Sequence, residues 1–202
     1  MVENTPDIRS FLGSGPVSGP ASAENPPGPV GYEVEPRQTV CGDIDMRIGL
    51  DGTWFYGGSP IGRKELLNLF STVLRRDDAG DHWLITPTEI CRIRVDDAPF
   101  LAVEAHVTGA GDEQNITLRT NIDQTVAMGA DHPLRVEVDP KTGEPRPYVA
   151  LDHGLEARLT RAVFYQLVDL AVEEIVAGEH IYGIWSGGHL FPWAPRPRRD
   201  DD

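Results

Sequence analysis

The stretch from Ile44 to Tyr56 leaves the chain little choice of local structure. Ile44, Met46, Ile48 and Leu50 alternate with Asp45, Arg47 and Gly49, and Asp51-Gly52 then leads into Thr53-Trp54-Phe55-Tyr56. A period of two sets the apolar side chains on one face of a pleated strand, and an Asp-Gly pair tolerates the backbone of a tight turn. The segment therefore predicts a β-hairpin.

The same reading extends along the chain. Cys91, Ile93 and Val95 share one face of a strand, as do Leu101, Val103, Ala105 and Val107 of the next. Joining them as a hairpin over Asp96 to Phe100 would set Arg92 opposite Glu104. The Gly109-Ala110-Gly111-Asp112 turn leads to a further strand, Gln114 to Thr120. Leu134, Val136 and Val138 then alternate before a turn at Asp139 to Gly143 and a return through Tyr148 to Leu151. Short strands are expected at His82 to Thr86 and Ile181 to Trp185.

Two segments carry helical spacing instead. The first runs from about Pro60 to Arg76, with Ser59 as N-cap, Leu66, Leu67, Phe70, Val73 and Leu74 on one face, and Arg75 and Arg76 at the negative end. The second runs from about Gly154 to Ala177 through Leu155, Leu159, Val163, Leu167, Leu170, Ala171 and Ile175, with Gly178 placed to end it.

Side by side, Ile44 to Ile85 and Leu134 to Trp185 follow one plan of hairpin, helix and short strand, which points to an internal duplication. The expected fold class is α+β: two repeated hairpin-helix-strand units with mostly antiparallel sheets, packed as one compact body. The expected division is a first unit over residues 39–108 and a second over 109–193. They are flanked by a Pro/Gly-rich arm (1–38) and a tail (194–202) too poor in apolar residues to offset their chain entropy.

Composition narrows the function classes. A net charge of −14 opposes the phosphate backbone of nucleic acids, so no nucleic-acid partner is expected. No apolar run approaches the ~18 residues of a membrane span, and no secretory signal opens the chain, so a cytoplasmic protein with no membrane partner is expected. The two cysteines, Cys41 and Cys91, lie far apart without Cys-x-x-Cys spacing, and the histidines lack the spacings that ligate metals. Neither a phosphate-binding Gly-rich loop nor a nucleophile elbow is present. No catalytic residue, metal or cofactor is assigned.

Several strings resemble the family known as domain of unknown function 1285. They are Asp51-Gly52-Thr53-Trp54, Gly58-Ser59-Pro60-Ile61-Gly62-Arg63, Leu84-Ile85-Thr86-Pro87-Thr88-Glu89 and Val95-Asp96-Asp97-Ala98-Pro99-Phe100-Leu101, continued by Thr120-Asn121 and Gly154-Leu155-Glu156-Ala157-Arg158. The resemblance spans roughly Tyr32 to Trp193, with Asp96 where the family more often has Glu. It implies a bacterial protein with a two-part α+β structure and repeated motifs, an unestablished biochemical role and a suggested regulatory or signalling part. It carries over no catalytic residues.

Three groups of residues remain as site candidates. Arg63, Arg158 and Arg161 fall near the expected helix starts, where a positive charge opposes the helix dipole and asks for compensation. An anion held by backbone N–H groups and guanidinium would supply it, and so would pairing with Glu89, Asp97 or Glu156. Trp54, Tyr56, Glu89, Asp97, Asn121 and Trp185 are candidates for a pocket or a homodimer seam. The leading expectation is a non-catalytic ligand-binding or regulatory protein with an anionic small molecule in a cleft between repeats. The alternatives are an enzyme drawing Glu89, Asp97, His153 and His189 together, and an interaction scaffold or homodimer.

Overall fold

The computed structural model of the chain describes residues 27–176 and 178–193. Among these residues strands dominate, fifteen of them against two α-helices, so the α+β expectation resolves into a mainly β structure. Two compact units divide the chain: residues up to Pro99 together with His153–Leu155, and the remainder from Phe100 onward.

The first unit holds β1 (Thr39–Ile48), β2 (Trp54–Tyr56), β3 (Ser59–Pro60), α1 (Lys64–Val73), β4 (Leu74–Arg76), β5 (His82–Ile85) and β6 (Glu89–Val95). The expected hairpin forms, with Ile48 opposite Trp54 and Met46 opposite Tyr56. The sheet order is β3-β2-β1-β6-β5-β4, antiparallel throughout except for the central pair β1 and β6. Helix α1 starts later than its sequence suggests because Ser59 and Pro60 pair with Tyr56 and Phe55 at the sheet edge, where a proline's missing N–H costs no ladder bond. It also ends early: Arg75 and Arg76 stand on β4 rather than at the helix end. Trp54, wholly buried, stacks at 6.2 Å on Phe70 of α1, and Met46, Ile48, Leu74, Leu84 and Ile90 complete the core around them.

Asp77 ties the connections of this unit together. Its carboxylate accepts hydrogen bonds from the N–H groups of Val30, Ala79 and Asp81 and from the Trp83 indole. Residues 27–38 belong to the stretch expected as a loose arm, yet Val30 is fastened at Asp77 and Gln38 donates to the Thr86 carbonyl at 2.8 Å. The rest of that arm and the tail from residue 194 lie outside the described residues.

The second unit contains β7 (Phe100–Thr108), β8 (Asn115–Thr120), β9 (Thr125–Ala127), β10 (Leu134–Val138), β11 (Pro145–Ala150), β12 (Glu156–Leu159) and α2 (Arg161–Val168), followed by β13 (Val172–Val176), β14 (Glu179–Ser186) and β15 (His189–Pro192). Its six-stranded sheet has the order β10-β11-β12-β7-β8-β9, again with a central parallel pair, β12 and β7. A three-stranded sheet, β13-β14-β15, is fastened to it by Ser186. The Ser186 hydroxyl accepts the Ile116 N–H and donates to the Met128 carbonyl at 2.7 Å.

Two expectations are overturned. Strands β6 and β7 do not form a hairpin: β6 pairs with β1 and β5, β7 with β8 and β12, and Arg92 meets Asp43 and Asp81 while Glu104 meets Arg119. Alternation fixes which face of a strand is buried, but not its partner. The long helix over Gly154–Ala177 is likewise absent. Leu155, Ala157 and Leu159 are buried at a period of two, so this part is β12, and α2 is only eight residues long. Leucines four apart satisfy both periods, and the buried alanine between them fits only the strand.

The duplication survives in another alignment. In each unit the chain starts at the centre of a sheet, steps outward through two strands, crosses to the opposite edge and returns strand by strand to the centre. The equivalent stretches are therefore Thr39 to Val95 and Phe100 to Leu159, in place of Ile44 to Ile85 and Leu134 to Trp185. Helix α1 sits in the crossover of the first unit, whereas α2 follows the last sheet strand of the second.

Candidate functional site

A concavity with a concentration of charge lies within the second unit, where β11 begins and β12 gives way to α2. Strand register explains its composition. Arg158 stands beside Tyr148 of β11 and Leu101 of β7, while the buried Ala157 and Leu159 alternate with it toward the core. Arg146, two residues before Tyr148 on β11, shares the face of Tyr148 and Arg158. Thr160 follows β12 in extended conformation at the N-cap position of α2, and Arg161, Phe164 and Tyr165 of that helix border the same cavity.

Together they border a cavity of about 470 Å³, lined by Arg146, Arg158 and Arg161, by Glu144, and by Pro145, Pro147, Leu101, Leu159, Thr160, Phe164 and Tyr165. Its charges are ordered by their neighbours. Arg146 is ion-paired with Asp139, whose carboxylate also accepts the backbone N–H groups of Lys141 and Thr142 at 2.7 and 3.1 Å. Those two N–H groups, and secondarily Arg146, hold the Asp139 carboxyl below the usual carboxylate range. Arg161 donates to the Tyr165 hydroxyl at 3.2 Å and lies 5.5 Å from the centre of its ring, and that hydroxyl raises its pKa further. Phe164 is packed on Trp193, 5.2 Å between ring centres.

Helix α2 has no acidic residue in its first turn and no side-chain cap at Thr160. Its opening N–H groups and the lining guanidiniums therefore present the same sign of charge.

Of the arginines singled out from sequence, Arg158 and Arg161 meet in this cavity. Arg63, exposed at the N-cap position of α1, belongs to the other unit. Glu156, weighed as a partner for these arginines, is instead bound through both oxygens by Arg135 at 2.9 Å each. Trp54 is a core residue and Tyr56 a half-buried strand residue of the first unit. Glu89 opens β6 and Asp97 follows its far end, and the strand between them spans about 20 Å at ~3.3 Å per residue, so these two do not form an acid pair. Asn121 clamps the sheet of the second unit: its side-chain oxygen accepts the Leu101 N–H while its own N–H reaches the Leu101 carbonyl. Trp185 is half-buried on β14 and directs its indole N–H at Glu174.

Arg146 and the aromatic pair Phe164-Tyr165 are the site residues that sequence reasoning missed. A signal existed in Pro145-Arg146-Pro147, where two prolines bracket a cation at the start of a strand.

Comparison with known proteins bears on residues 34–193. The sequence profile of the N-terminal domain of unknown function DUF1285 matches residues 34–98, and that of the C-terminal domain of the DUF1285 proteins of unknown function matches residues 99–193. The chain belongs to the DUF1285 family. The two DUF1285 profiles meet between residues 98 and 99, beside the boundary that separates the compact units at Pro99. A DUF1285 family protein from Silicibacter pomeroyi DSS-3 has a similar crystal structure. It is 45% identical, with a TM-score of 0.71 over 82% of this chain and 87% of that one. Another DUF1285 family protein, from Shewanella baltica OS155, is 25% identical, with a TM-score of 0.51 over 62% of this chain and 91% of that one. No curated protein matches the sequence.

Proposed function

We propose that this DUF1285 protein is a non-catalytic, small-ligand-binding protein with a regulatory or signalling role, and that the arginine-lined cavity of its second unit takes an anion. One observation carries the reading: three arginines converge on one cavity in a chain whose net charge is −14. Forked guanidiniums suit carboxylate and phosphate oxygens, so an anion would add to the counter-charge that Asp139 and Glu144 already supply there. A volume of about 470 Å³ lies within the ~300–1,000 Å³ of small-molecule sites. The site proposed thus moves from a cleft between repeats to a single unit, with Arg158 and Arg161 kept, Arg146 added and Arg63 left out.

A cytoplasmic setting belongs to the same proposal. Cys41 and Cys91 are both unbridged, as thiols are in a reducing compartment, and no described helix is long and apolar enough to cross a membrane.

The test is a thermal-shift titration with inorganic phosphate, pyrophosphate and simple carboxylates. A compound at a hundred times its dissociation constant adds about 2.7 kcal/mol, which raises the melting temperature of a chain this size by several degrees. The shift is expected to vanish in Arg158→Ala and Arg161→Ala and to persist in Arg63→Ala. Equal shifts in all three variants would remove the basis for this site.

A second reading, self-association, is favoured by one feature of the three-stranded sheet. Ile175, Val176 and Tyr182 are 67%, 43% and 50% exposed on adjacent strands. It requires that Ile175→Lys change the sedimentation coefficient.

A further inference from the structure

We infer that Cys41 and Cys91 form a hydroperoxide-reactive dithiol site, in which the two thiols close to a disulfide across the central parallel pair of the first unit. The site is independent of the anion cavity.

Strand register brings the two cysteines together, although fifty residues of chain separate them. Thr39 pairs with Glu89, Val40 with Ile90 and Gly42 with Cys91, so β1 uses one residue more than β6 over this stretch. The extra residue is Cys41. In such a bulge two residues of one strand oppose one of its neighbour, which sets Cys41 and Gly42 together opposite Cys91. Gly42 supplies the positive φ of 69° at the irregularity, and it has no side chain to stand between the two sulfurs.

The direction of the Cys41 side chain agrees with the register. Its Sγ lies 3.9 Å from Oε1 of Glu89. Glu89 and Cys91, two residues apart on β6, project from the same face of the sheet. Cys41 thus stands over the face that carries Cys91. Neighbouring strands lie ~4.8 Å apart and one step along a strand adds ~3.3 Å, so the two Cα atoms are roughly 6 Å apart, inside the ~4.4–6.8 Å that a disulfide spans.

Exposure divides the roles. Both residues are thiols in this structure; Cys41 is half-buried, within reach of a small reagent, whereas Cys91 is only 1% exposed. The Cys41 sulfur, its proton given up to solvent, attacks one oxygen of hydrogen peroxide. The O–O bond breaks, leaving a sulfenic acid on Cys41, and the departing oxygen takes up a proton to become water. The Cys91 sulfur then attacks the sulfenic sulfur: the S–S bond forms, the S–O bond breaks, and the Cys91 proton leaves with the hydroxyl as a second water. Two thiols give up two electrons and the peroxide takes them. The new bond closes a loop of about fifty residues, which restricts the unfolded chain and so raises the melting temperature.

The experiment treats the full chain with excess hydrogen peroxide, blocks remaining thiols by alkylation and maps the tryptic peptides. The expected result is loss of both alkylatable thiols, with the peptide Gln38–Arg47 joined to Asp77–Arg92 inside a single chain. The melting temperature should rise by several degrees and return on addition of a reducing thiol. Cys91→Ser should stop at a sulfenic acid on Cys41 that dimedone traps, and Cys41→Ser should leave Cys91 alkylatable after the same treatment. Unreacted thiols, a cross-link between chains, or oxidised Cys41 beside a still alkylatable Cys91 in the parent chain would overturn the inference. So would joined peptides that form only after unfolding in urea.

Discussion

His82 shows how one residue couples this fold to pH. It opens β5 and is buried opposite Ile93 of β6, and burial, reinforced by the Arg76 charge, pushes its imidazole pKa down to about 4. The unfolded chain holds that proton up to about pH 6.5. Between pH 6.5 and 4 the unfolded state therefore binds more protons than the folded one, and stability falls as pH falls through that window. The loss ends near pH 4, at a total of about 2–4 kcal/mol. Asp77 acts in the same direction at lower pH. Burial alone would raise its pKa, but its N–H donors outweigh that and lower it, so their stabilisation disappears as the carboxylate protonates below the ordinary carboxylate range. Urea unfolding of His82→Gln between pH 7 and 4 is expected to show an acid slope reduced by about that 2–4 kcal/mol. An unchanged slope would assign it to other groups.

At the scale of the element, close backbone approach is the exacting requirement. Gly183 of β14 lies where an added Cβ would stand 2.6 Å from the Phe191 carbonyl oxygen on β15, nearer than such atoms come. Gly183→Ala should push β15 away from β14 and cost about 1–3 kcal/mol, the range of an overpacked site. The matching observation is faster amide exchange at Ile184 and Phe191, with the first unit unchanged. Such constraints also mark what the sequence could tell. The Ile44–Tyr56 hairpin was legible because an alternation and its turn residues agree within thirteen positions. The second helix was not, because Leu155 and Leu159 fit either period and only burial of Ala157 decides between them. Arg161 was legible as a cation at a helix start, but Arg158, expected in the same opening turns, stands on β12. The cavity was not, since it depends on β11 lying beside β12, a pairing that leaves no trace in local pattern.

At the scale of the molecule, the central parallel pair sets the order of events. Asp43 of β1 and Arg92 of β6 are 49 residues apart in the chain yet adjacent in the sheet, whereas the pairs on either side join near neighbours in sequence. Closing so long a loop costs entropy before any contact repays it, so the seam between the two halves of each sheet should limit folding. In stopped-flow experiments Ile48→Val, on the seam, should mainly slow refolding. Leu74→Val, equally buried at the sheet edge, should mainly speed unfolding. Comparable effects of both on refolding would place the barrier elsewhere.

During synthesis the same seam creates a period of risk. β1 leaves the ribosome about fifty residues before the strand that will lie against it, at ~5–20 residues per second a wait of several seconds with one edge unpaired. Asp43, Asp45 and Arg47 punctuate that strand between Ile44, Met46 and Ile48. Besides their places in the finished sheet, they guard the nascent chain, making its waiting edge a poor template for another strand until its own partner arrives.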